Sequence, residues 1–535
     1  MKPQYFLLAL TFSLISLSNA QGQSNPLEDP SLNPWITPLD QCGTQKGAYR
    51  LDIDMGFLNT DYFCRIDPQQ GAIFLTKEKQ PINRDATRLM LNKIDSCQSI
   101  TSQRMLIGSS RDSIEQLQSL LSNRPPNSVL RIGKTKDQWK PPETHAKVFQ
   151  LSNGVDQFFT VHGSLNIQTV GLTCKANNAL RFTESQPVLY NYFKDLGDAV
   201  AANSAKGKFN GLGDNYSSGT DLALATIGNY QVQFYAGKGT GFVGAGSLND
   251  QVWPHNINPP VSKQHAPGII NWYDGVIYDA AKQLRQGRDV HIDVLIFEVG
   301  QENAFVNNLW KFVENGFEGG RTEDKTSMVK VSTPFIGKLS VRFLWQFQSG
   351  KKHSGKTYGL LNGPNIINGT TNSNEISPYS LEKARIWPIV DKSGIAINPG
   401  TPRDMHNKLA IVEVKNHPES NKLYVTSSNM DTPNVGSGKL WQAGTVISLK
   451  TGIQEGSQET PPSFGLWHSY KQYFELLWSN REGQVNAGQV GFSQLINERR
   501  KNSTVNWIET TPSKTDSKQA TKEGIDAYFF PIPFE

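Results

Sequence analysis

The apolar positions of the first half of the chain recur at two spacings, one typical of amphipathic helices and one typical of buried strands. Around the residues 86–196 these spacings predict helices over 86–96, 113–122 and 188–196 and strands over 103–107, 128–132 and 179–182. Strands that alternate with helices in this way favour an α/β lobe with a mixed or parallel sheet.

The second half repeats this order of elements. The same two spacings predict helices over 272–285, 303–314 and 468–478 and strands over 291–297, 339–343 and 444–449. The predicted fold class is therefore α/β, with two similar lobes. The stretches 206–262 and 348–380 are rich in Gly and Asn and predict surface loops, and the polar tail from Lys501 ends in aromatic residues that we expect to dock on a lobe.

Length and composition agree with two large lobes. The chain has 535 residues, which is too long for one core at roughly 150 residues per domain. Charged residues make up 19% and apolar residues 37%, as expected for a globular protein. The formal net charge of +5 is compatible with an anionic substrate without requiring one.

The N-terminus has the pattern of a secretory signal peptide. Lys2 is followed by an apolar run over 5–15 and then by Ser18 and Ala20, the small residues of a cleavage site. The run is shorter than the ~20 residues that span a bilayer. We therefore expect a secreted or periplasmic protein that begins near Gln21 and has no transmembrane segment.

The cysteines all lie in the first third of the chain, at Cys42, Cys64, Cys97 and Cys174. An even number in an exported protein favours disulfides, whose pairing the sequence leaves open. Neither the cysteines nor the histidines have the spacing of a zinc site, so no metal is expected.

A short pattern of His and Lys occurs once in each half, at His145 and Lys147 and at His406 and Lys408. Since 53 of 535 residues are basic, nine histidines should give about one such pair by chance. Each pair is followed at a similar distance by a Ser-x-Asn segment: Ser164 and Asn166, then Ser427 and Asn429. The repetition indicates a duplicated half-site.

These residue types suit a phosphoryl group. Residues i and i+2 of a strand face the same side, so each His and its Lys would point into one cavity. The Lys supplies positive charge and N–H donors to non-bridging oxygens, and a neutral imidazole can attack phosphorus. The Ser and Asn residues follow about twenty residues later, where the next strand of a hairpin would bring hydroxyl and amide donors to the same oxygens.

Two histidines in one cavity provide a complete mechanism for phosphodiester cleavage. One attacks phosphorus and forms a phosphohistidine, while the other protonates the departing alkoxide and then activates water or an alcohol. The lysines and the Ser and Asn donors would stabilise the charge on the equatorial oxygens. This mechanism needs no metal and no other cofactor.

The two half-motifs resemble the signature of the phospholipase D superfamily, two copies of H-x-K-x4-D-x6-G-S-x-N, over about residues 86–480. The resemblance implies that each lobe is a mixed sheet flanked by helices and that the active site lies at the interface of the lobes. It also implies that His145 is the nucleophile and His406 the acid and base. His162, directly before Gly163, and His417, in the lengthened turn, are expected to be incidental. The expected domains are a signal peptide (1–20), an N-terminal lobe (21–205), connecting loops (206–262), a C-terminal lobe (263–500) and a polar tail (501–535).

The chain departs from this signature in spacing and in two side chains. From His to Ser, the copies are four and six residues longer than the signature. If a longer hairpin turn takes up the excess, Asp156 and Glu419 occupy the position of the acid, with Glu413 as the unshifted alternative. A glutamate that often orients a histidine in the family is replaced by Asn177 and Gln442, amides that stabilise an imidazolium less than a carboxylate does.

The motif leaves the substrate open. The leading hypothesis is a monomeric phospholipase D that hydrolyses or transphosphatidylates glycerophospholipid head groups at a phospholipid or membrane surface, favoured by export, weak basicity and aromatic loops. Those aromatic residues are Phe209, Tyr230, Phe234, Tyr235, Phe242 and Trp253. The alternatives are a secreted nuclease of the same superfamily and an inactive binder of lipid or polyanion. Basic residues that would bind a nucleic-acid backbone are Lys351, Lys352, Lys356, Arg499, Arg500 and Lys501.

Overall fold

The structure is a computed structural model that describes the following residues: 27–29, 32–44, 47–60, 63–66, 73–76, 82–138, 144–173, 175–182, 187–205, 224–237, 269–299, 317–321, 328–330, 336–348, 379–386, 406–429, 442–450, 465–480 and 524–530. The predicted signal peptide, the predicted helix 303–314 and the basic residues at 351–356 and 499–501 lie outside these ranges.

The described residues form helices and strands that we number in chain order. The helices are α1 Ile36–Thr44, α2 Ala86–Ser96, α3 Ile114–Ser119, α4 Thr169–Thr173, α5 Pro187–Ala205, α6 Ile269–Arg285 and α7 Gly465–Asn480. The strands of the first half are β1 Tyr49–Asn59, β2 Phe63–Ile66, β3 Ile73–Thr76, β4 Ile100–Ser109, β5 Asn127–Lys134, β6 Lys147–Ser152, β7 Phe158–Gly163, β8 Ile167–Gln168 and β9 Asn178–Phe182. Those of the second half are β10 Leu224–Ile227, β11 Tyr230–Gly237, β12 Val290–Val299, β13 Phe317–Arg321, β14 Met328–Lys330, β15 Leu339–Gln348, β16 Tyr379–Ile386, β17 Lys408–Val414, β18 Lys422–Thr426, β19 Gln442–Leu449 and β20 Ile525–Phe529.

Most of the strands belong to two large sheets. The first has the order β20-β9-β7-β6-β1-β4-β5, with β8 paired to the end of β1, and the second has the order β10-β11-β19-β18-β17-β12-β15-β16. The predicted elements that fall within the described residues are all found. The α/β fold class with two mixed sheets and flanking helices is confirmed.

Six strands of each sheet share one topology. The run β9-β7-β6-β1-β4-β5 of the first sheet corresponds to β19-β18-β17-β12-β15-β16 of the second. In the first sheet β1 pairs in parallel with β4 and antiparallel with β6, the strand of the H-x-K motif. In the second sheet β12 pairs in the same way with β15 and with β17. The repeat that the motifs indicate therefore extends over whole sheets.

The strand β1 lies at the centre of the first sheet, although no strand is predicted there. Its apolar residues alternate with Asp52 and Asp54, both of which are buried. Arg104 on β4 lies beside them, with guanidinium nitrogens 3.3 Å from Asp52 and 2.9 Å from Asp54. A charged strand can occupy the core here because its carboxylates are paired with a buried cation.

The second sheet repeats this buried ion pair. The register places Asp52 opposite Arg104 and Asp293 opposite Arg342. Each arginine also forms an ion pair with an acidic residue of a helix: Arg104 with Asp198 of α5, and Arg342 with Glu475 of α7. The ion pairs thus join each sheet to the helix that follows its motif.

The apolar core is continuous between the two sheets. One cluster of buried residues contains side chains of both halves, among them Val148, Leu180, Phe193, Leu409, Val425, Ile447 and Tyr470. The interface is apolar around the motifs, so the motif residues of the two halves are held against each other by the core itself.

The expectation of a surface loop over 206–262 is wrong for residues 224–237. Within 206–262, residues 224–237 form the hairpin β10–β11, which pairs with β19 at an edge of the second sheet. Tyr230, Phe234 and Tyr235 are buried there, because the alternation of a strand turns them into the core.

The expectation that aromatic residues of the C-terminal tail dock on a lobe is confirmed for Tyr528, Phe529 and Phe530, which are buried. The tail also forms the strand β20, which pairs with β9 of the first sheet.

The cysteine prediction is met for one pair, since Cys42 and Cys97 form a disulfide between α1 and the end of α2. Cys174 lies outside the described residues. In the part of the chain that the structure describes, none of the helices has both the length and the apolar character needed to cross a membrane.

Candidate active site

The two H-x-K pairs stand at the start of corresponding strands. Lys147 is the first residue of β6 and Lys408 is the first residue of β17, and each histidine lies two residues before its lysine. The Nζ of each lysine donates to the carbonyl oxygen of its own histidine at 2.8 Å. Lys147 Nζ also lies 3.3 Å from both ring nitrogens of His145 and 3.4 Å from the carbonyl oxygen of Ser427, in the other half.

The Ser-x-Asn segments follow the next strand of each hairpin, as the spacing predicts. In the first half β6 pairs antiparallel with β7, and in the second β17 pairs antiparallel with β18. Ser164 comes directly after β7 and Ser427 directly after β18. The predicted motif residues of both halves are therefore brought together at one edge of each sheet.

His406 is oriented by the first half of the chain. Its Nδ1 lies 2.9 Å from Asn177 Oδ1 and 3.0 Å from the carbonyl oxygen of Ser164. Since a carbonyl oxygen only accepts hydrogen bonds, Nδ1 of the neutral ring carries the proton and Nε2 carries the lone pair.

His145 is oriented in the same way by the second half. Its Nδ1 lies 3.3 Å from Gln442 Oε1, and that oxygen also accepts from the hydroxyl of Ser427 at 3.0 Å. Asn177 and Gln442, predicted as supports that replace a carboxylate, thus contact the histidine of the opposite half. Each half-site depends on the other for its orientation.

The serines of the two motifs contact the amides that orient the histidines. Ser164 Oγ donates to Asn177 Oδ1 at 3.1 Å, as Ser427 Oγ does to Gln442 Oε1. Each hydroxyl also accepts from a backbone N–H of the following strand, and both serines are fully buried. Ser164 and Ser427 therefore hold the orienting amides, a role that their spacing did not suggest, and their donation to phosphate oxygens stays a prediction.

The asparagines remain candidates for binding phosphate oxygens. Asn166 Oδ1 accepts from the backbone N–H of Phe57 at 3.0 Å, so the amide nitrogen is the group left to donate to a ligand. Asn429 is buried at the corresponding place in the second half.

Both histidines favour the neutral form. Burial lowers the pKa of His145 well below its usual range, and the charges of Lys147 and Lys408 lower it further. Burial lowers the pKa of His406 well below its usual range, and Lys408, Lys175 and Lys147 lower it further. The lysine charges of both halves reach both rings, so the site is strongly electropositive.

A polar connection that the sequence did not suggest ties the halves together beside His406. Asn178 Nδ2 donates to Asn407 Oδ1 at 2.7 Å, and Asn407 Nδ2 donates to the carbonyl oxygen of Ala176 at 3.0 Å. Tyr473 of α7 donates to the carbonyl oxygen of Asn177 at 3.0 Å. Asn407 lies between the motif His and Lys, which is the only sequence signal that could have pointed to it.

The displaced acids do not reach the site. Asp156 is exposed at the tip of the β6–β7 hairpin, where it accepts from Asn153 Nδ2 at 2.7 Å. Glu419 is 52% exposed in the β17–β18 turn and pairs with His417. Both predictions are wrong, because the inserted residues lengthen the turn away from the site. Glu413, the unshifted alternative, pairs with Lys471 of α7.

Two other histidines lie outside the H-x-K pairs. His162 is fully buried on β7, and burial lowers its pKa to about 3. His417 lies in the exposed turn with Glu419. Among the described residues no group of three or more His, Cys, Asp or Glu side chains is arranged to hold a metal ion.

The amide that orients His406 predicts a pH dependence. A proton-donating His406 with a lowered pKa loses its proton as the pH rises, so activity should fall towards neutral and alkaline pH. Asn177→Asp places a carboxylate against Nδ1 and should move this alkaline limb of kcat upward by about 1 pH unit or more. The pH profiles of both proteins measure the shift.

Gln442→Glu is the matched control for this prediction. It should raise the pKa of His145, whose neutral form attacks, and should therefore move the acid limb upward while the alkaline limb stays. An Asn177→Asp enzyme that is slower at every pH with an unmoved alkaline limb would contradict the orienting role.

The chain was compared with protein families, with curated proteins and with solved structures. No family model and no curated protein matches its sequence. Yeast tyrosyl-DNA phosphodiesterase is similar with a TM-score of 0.35 and 11% identity, over 76% of this chain and 86% of that one. Phosphatidylserine synthase of Haemophilus influenzae has a TM-score of 0.37 and 10% identity, over 85% and 84% of the two chains.

Proposed function

We propose that the protein is a phosphodiesterase that acts through a phosphohistidine intermediate. The observation that supports this most directly is the reciprocal orientation of the two histidines. Each Nδ1 lies against an amide oxygen of the opposite half, at 3.3 Å for His145 and 2.9 Å for His406. Each Nε2 thus carries the lone pair of a neutral ring, and lysines of both halves surround the two histidines, with Lys147 Nζ 3.3 Å from Nε2 of His145.

The first step forms the covalent intermediate. His145 Nε2 attacks phosphorus, the bond from phosphorus to the leaving oxygen breaks, and protonated His406 gives its Nε2 proton to that oxygen. The low pKa of His145 keeps it neutral for attack. The negative charge of a bound phosphodiester favours protonation of His406, against the burial and the lysine charges that lower its pKa in the free enzyme.

The second step returns the enzyme to its starting state. His406 Nε2 takes a proton from water or an alcohol, the oxygen of that molecule attacks phosphorus, and the bond from phosphorus to His145 Nε2 breaks. Lys147, Lys408, Asn166 and Asn429 stabilise the charge on the equatorial oxygens in both steps. The assignment of His145 as nucleophile follows the family resemblance.

For the substrate we propose glycerophospholipids, whose head groups the enzyme would hydrolyse or exchange. The burial of Tyr230, Phe234 and Tyr235 removes part of the sequence support for contact with lipid. The proposal therefore depends on the family resemblance, on the predicted export and on an electropositive site that suits a phosphodiester anion.

The full chain, incubated side by side with phospholipid vesicles and with single-stranded DNA, tests this proposal. We expect release of the head group and of phosphatidic acid, formation of a phosphatidyl alcohol when ethanol is added, and loss of both in His145→Ala. DNA cleavage without head-group release would overturn the lipid assignment in favour of a nuclease. Vesicle binding that neither His145→Ala nor His406→Ala changes, with no turnover of either substrate, would indicate a binder.

A further inference from the structure

A buried polar network of the second half holds the segment of the first half that carries Asn177. Asn407, the middle residue of the second H-x-K motif, donates through Nδ2 to the carbonyl oxygen of Ala176 at 3.0 Å and to the hydroxyl of Tyr473 at 3.0 Å. That hydroxyl donates in turn to the carbonyl oxygen of Asn177 at 3.0 Å. The carbonyl groups before and after the Cα atom of Asn177 are thus both bonded to residues of the other half.

The network also holds the next residue, Asn178. Its Nδ2 donates to Asn407 Oδ1 at 2.7 Å, and its Oδ1 accepts from the hydroxyl of Tyr470 at 3.2 Å. The side chains of the network are all completely buried. Hydrogen bonds are stronger in such a dry environment than in water, and a satisfied buried network favours one arrangement. It therefore fixes the position of Asn177, whose Oδ1 lies 2.9 Å from His406 Nδ1.

The equivalent positions beside the first motif have alanines. Ala146 is the middle residue of the first H-x-K motif, where the second motif has Asn407. Ala443 corresponds to Asn178, because each accepts through its carbonyl oxygen from the backbone N–H of the motif serine. An alanine side chain forms no hydrogen bond, so the first motif lacks both amides of the network.

The helices α5 and α7 differ in the same way. Asp198 and Glu475 are equivalent, since they pair with the equivalent arginines of the two sheets. Two and five residues before Glu475, α7 has Tyr473 and Tyr470. The corresponding residues of α5 are buried and have no hydroxyl group: Leu196 and Phe193. The network therefore serves His406 and has no counterpart in these residues for His145.

We propose that Asn407 and Tyr473 are positioning residues of the histidine that transfers protons. The inference depends on the proposed function, which assigns proton transfer to His406. That histidine presents Nε2 to the leaving oxygen in the first step and to the attacking oxygen in the second, so its ring has to keep one position. His145 instead moves towards phosphorus as its bond forms, and its orienting oxygen lies 3.3 Å from Nδ1, compared with 2.9 Å at His406.

Two esters that differ in their need for an acid test this role. The p-nitrophenyl and p-nitrobenzyl esters of hexyl phosphate have the same retained substituent, but only p-nitrobenzyl alcohol needs a proton to depart. We expect Asn407→Ala, which introduces the residue of the first motif, to lower kcat/KM for the p-nitrobenzyl ester about tenfold to a hundredfold and for the p-nitrophenyl ester by about twofold at most. Absorbance and chromatography measure the two released alcohols.

Tyr473→Phe is a milder variant, since it removes one hydroxyl and keeps the ring. It should change the ratio of the two esters in the same direction. The double variant with Asn407→Ala should lose less than the product of the two single losses, because both residues act through the segment that carries Asn177. Tyr190→Phe is the matched control: its buried hydroxyl on α5 donates to Asp52 Oδ2 at 3.2 Å, so the ratio should stay that of the wild type.

Several outcomes would overturn the inference. Equal losses for the two esters in Asn407→Ala and Tyr473→Phe would show that the network supports the fold or the whole site, and an unchanged ratio in both would show that His406 does not need it. Thermal unfolding identifies a variant that misfolds, and if Asn407→Ala does so, the ratio in Tyr473→Phe decides. A wild-type enzyme that cleaves neither ester would instead contradict the proposed function, and this inference with it.

Discussion

Replacing His145 with alanine is expected to lower phosphodiester cleavage by about three orders of magnitude or more for every leaving group. The variant lacks the nitrogen that attacks phosphorus, and Nε2 of His406 cannot replace it because its ring is held in place by Asn177 and the carbonyl oxygen of Ser164. A better leaving group does not help, since the missing bond is the one that forms.

His406→Ala should behave differently. With a p-nitrophenyl ester the departing phenolate needs no proton, so the first step proceeds, while the second step lacks its base. We expect a rapid burst of about one p-nitrophenol per active site, followed by very slow turnover. Stopped-flow absorbance measures both phases.

The exposed His417 provides the control, since His417→Ala should retain the steady-state rate of the wild type. A burst in His145→Ala and none in His406→Ala would reverse the two roles. Full activity in either variant would contradict a two-histidine mechanism.

Arg104→Met is expected to lower the free energy of unfolding by about 3–5 kcal/mol. Arg104 is 3% exposed and pairs with two carboxylates that are 1% exposed, on Asp52 and Asp54. Burial already raises the pKa of Asp54 to about 6, against the attraction of Arg104. Without the arginine the buried carboxylate of Asp54 loses the guanidinium that pairs with it, while Asp52 keeps Arg50 at 2.8 Å, and methionine fills only the volume.

The pH dependence of this loss identifies its cause. An acid whose pKa is raised in the folded state binds a proton more readily when folded, so the folded state gains stability as the pH falls through that pKa. Removing Arg104 raises the pKa of Asp54 further. Part of the lost free energy of unfolding should therefore be recovered as the pH falls from neutral to below about 6. Urea unfolding at several pH values measures this recovery.

Arg342→Met is the matched control at the equivalent position of the second sheet. Asp293 keeps Lys471 at 2.5 Å and His291 at 2.8 Å, so the loss should be smaller. Equal losses in the two variants, or a loss in Arg104→Met that does not vary with pH, would contradict a specific role for the buried pair with Asp54.

The elements around the motifs could be predicted because their apolar spacing is regular. The strand β1 could not be read in the same way, since Asp52 and Asp54 interrupt its apolar run and their partner, Arg104, lies on a different strand. Tyr230 and Phe234 are predicted at the surface but lie in the core. Surrounded by a Gly-rich stretch, they resemble surface aromatics, and only the pairing of β11 with β19 buries them.

The site residues also differ in whether local spacing predicts their positions. The i, i+2 pairs and the hairpins follow from local spacing, and the structure brings them together. The exchange of orienting amides between the halves depends on a contact over 229 residues for Asn177 and 297 for Gln442, which no local pattern specifies. Asp156 and Glu419 are predicted from residue spacing alone, and an inserted turn can carry such residues into solvent.

The trapping of the covalent intermediate tests the two-histidine phosphodiesterase most directly. A phosphodiester labelled at phosphorus is mixed with the His406→Ala enzyme and with the wild type, the reaction is quenched under conditions that preserve phosphohistidine, and the labelled peptide is sequenced. The account predicts label on the peptide that contains His145, and more of it in His406→Ala than in the wild type. Product formation in the wild type with no label on either histidine would contradict the account.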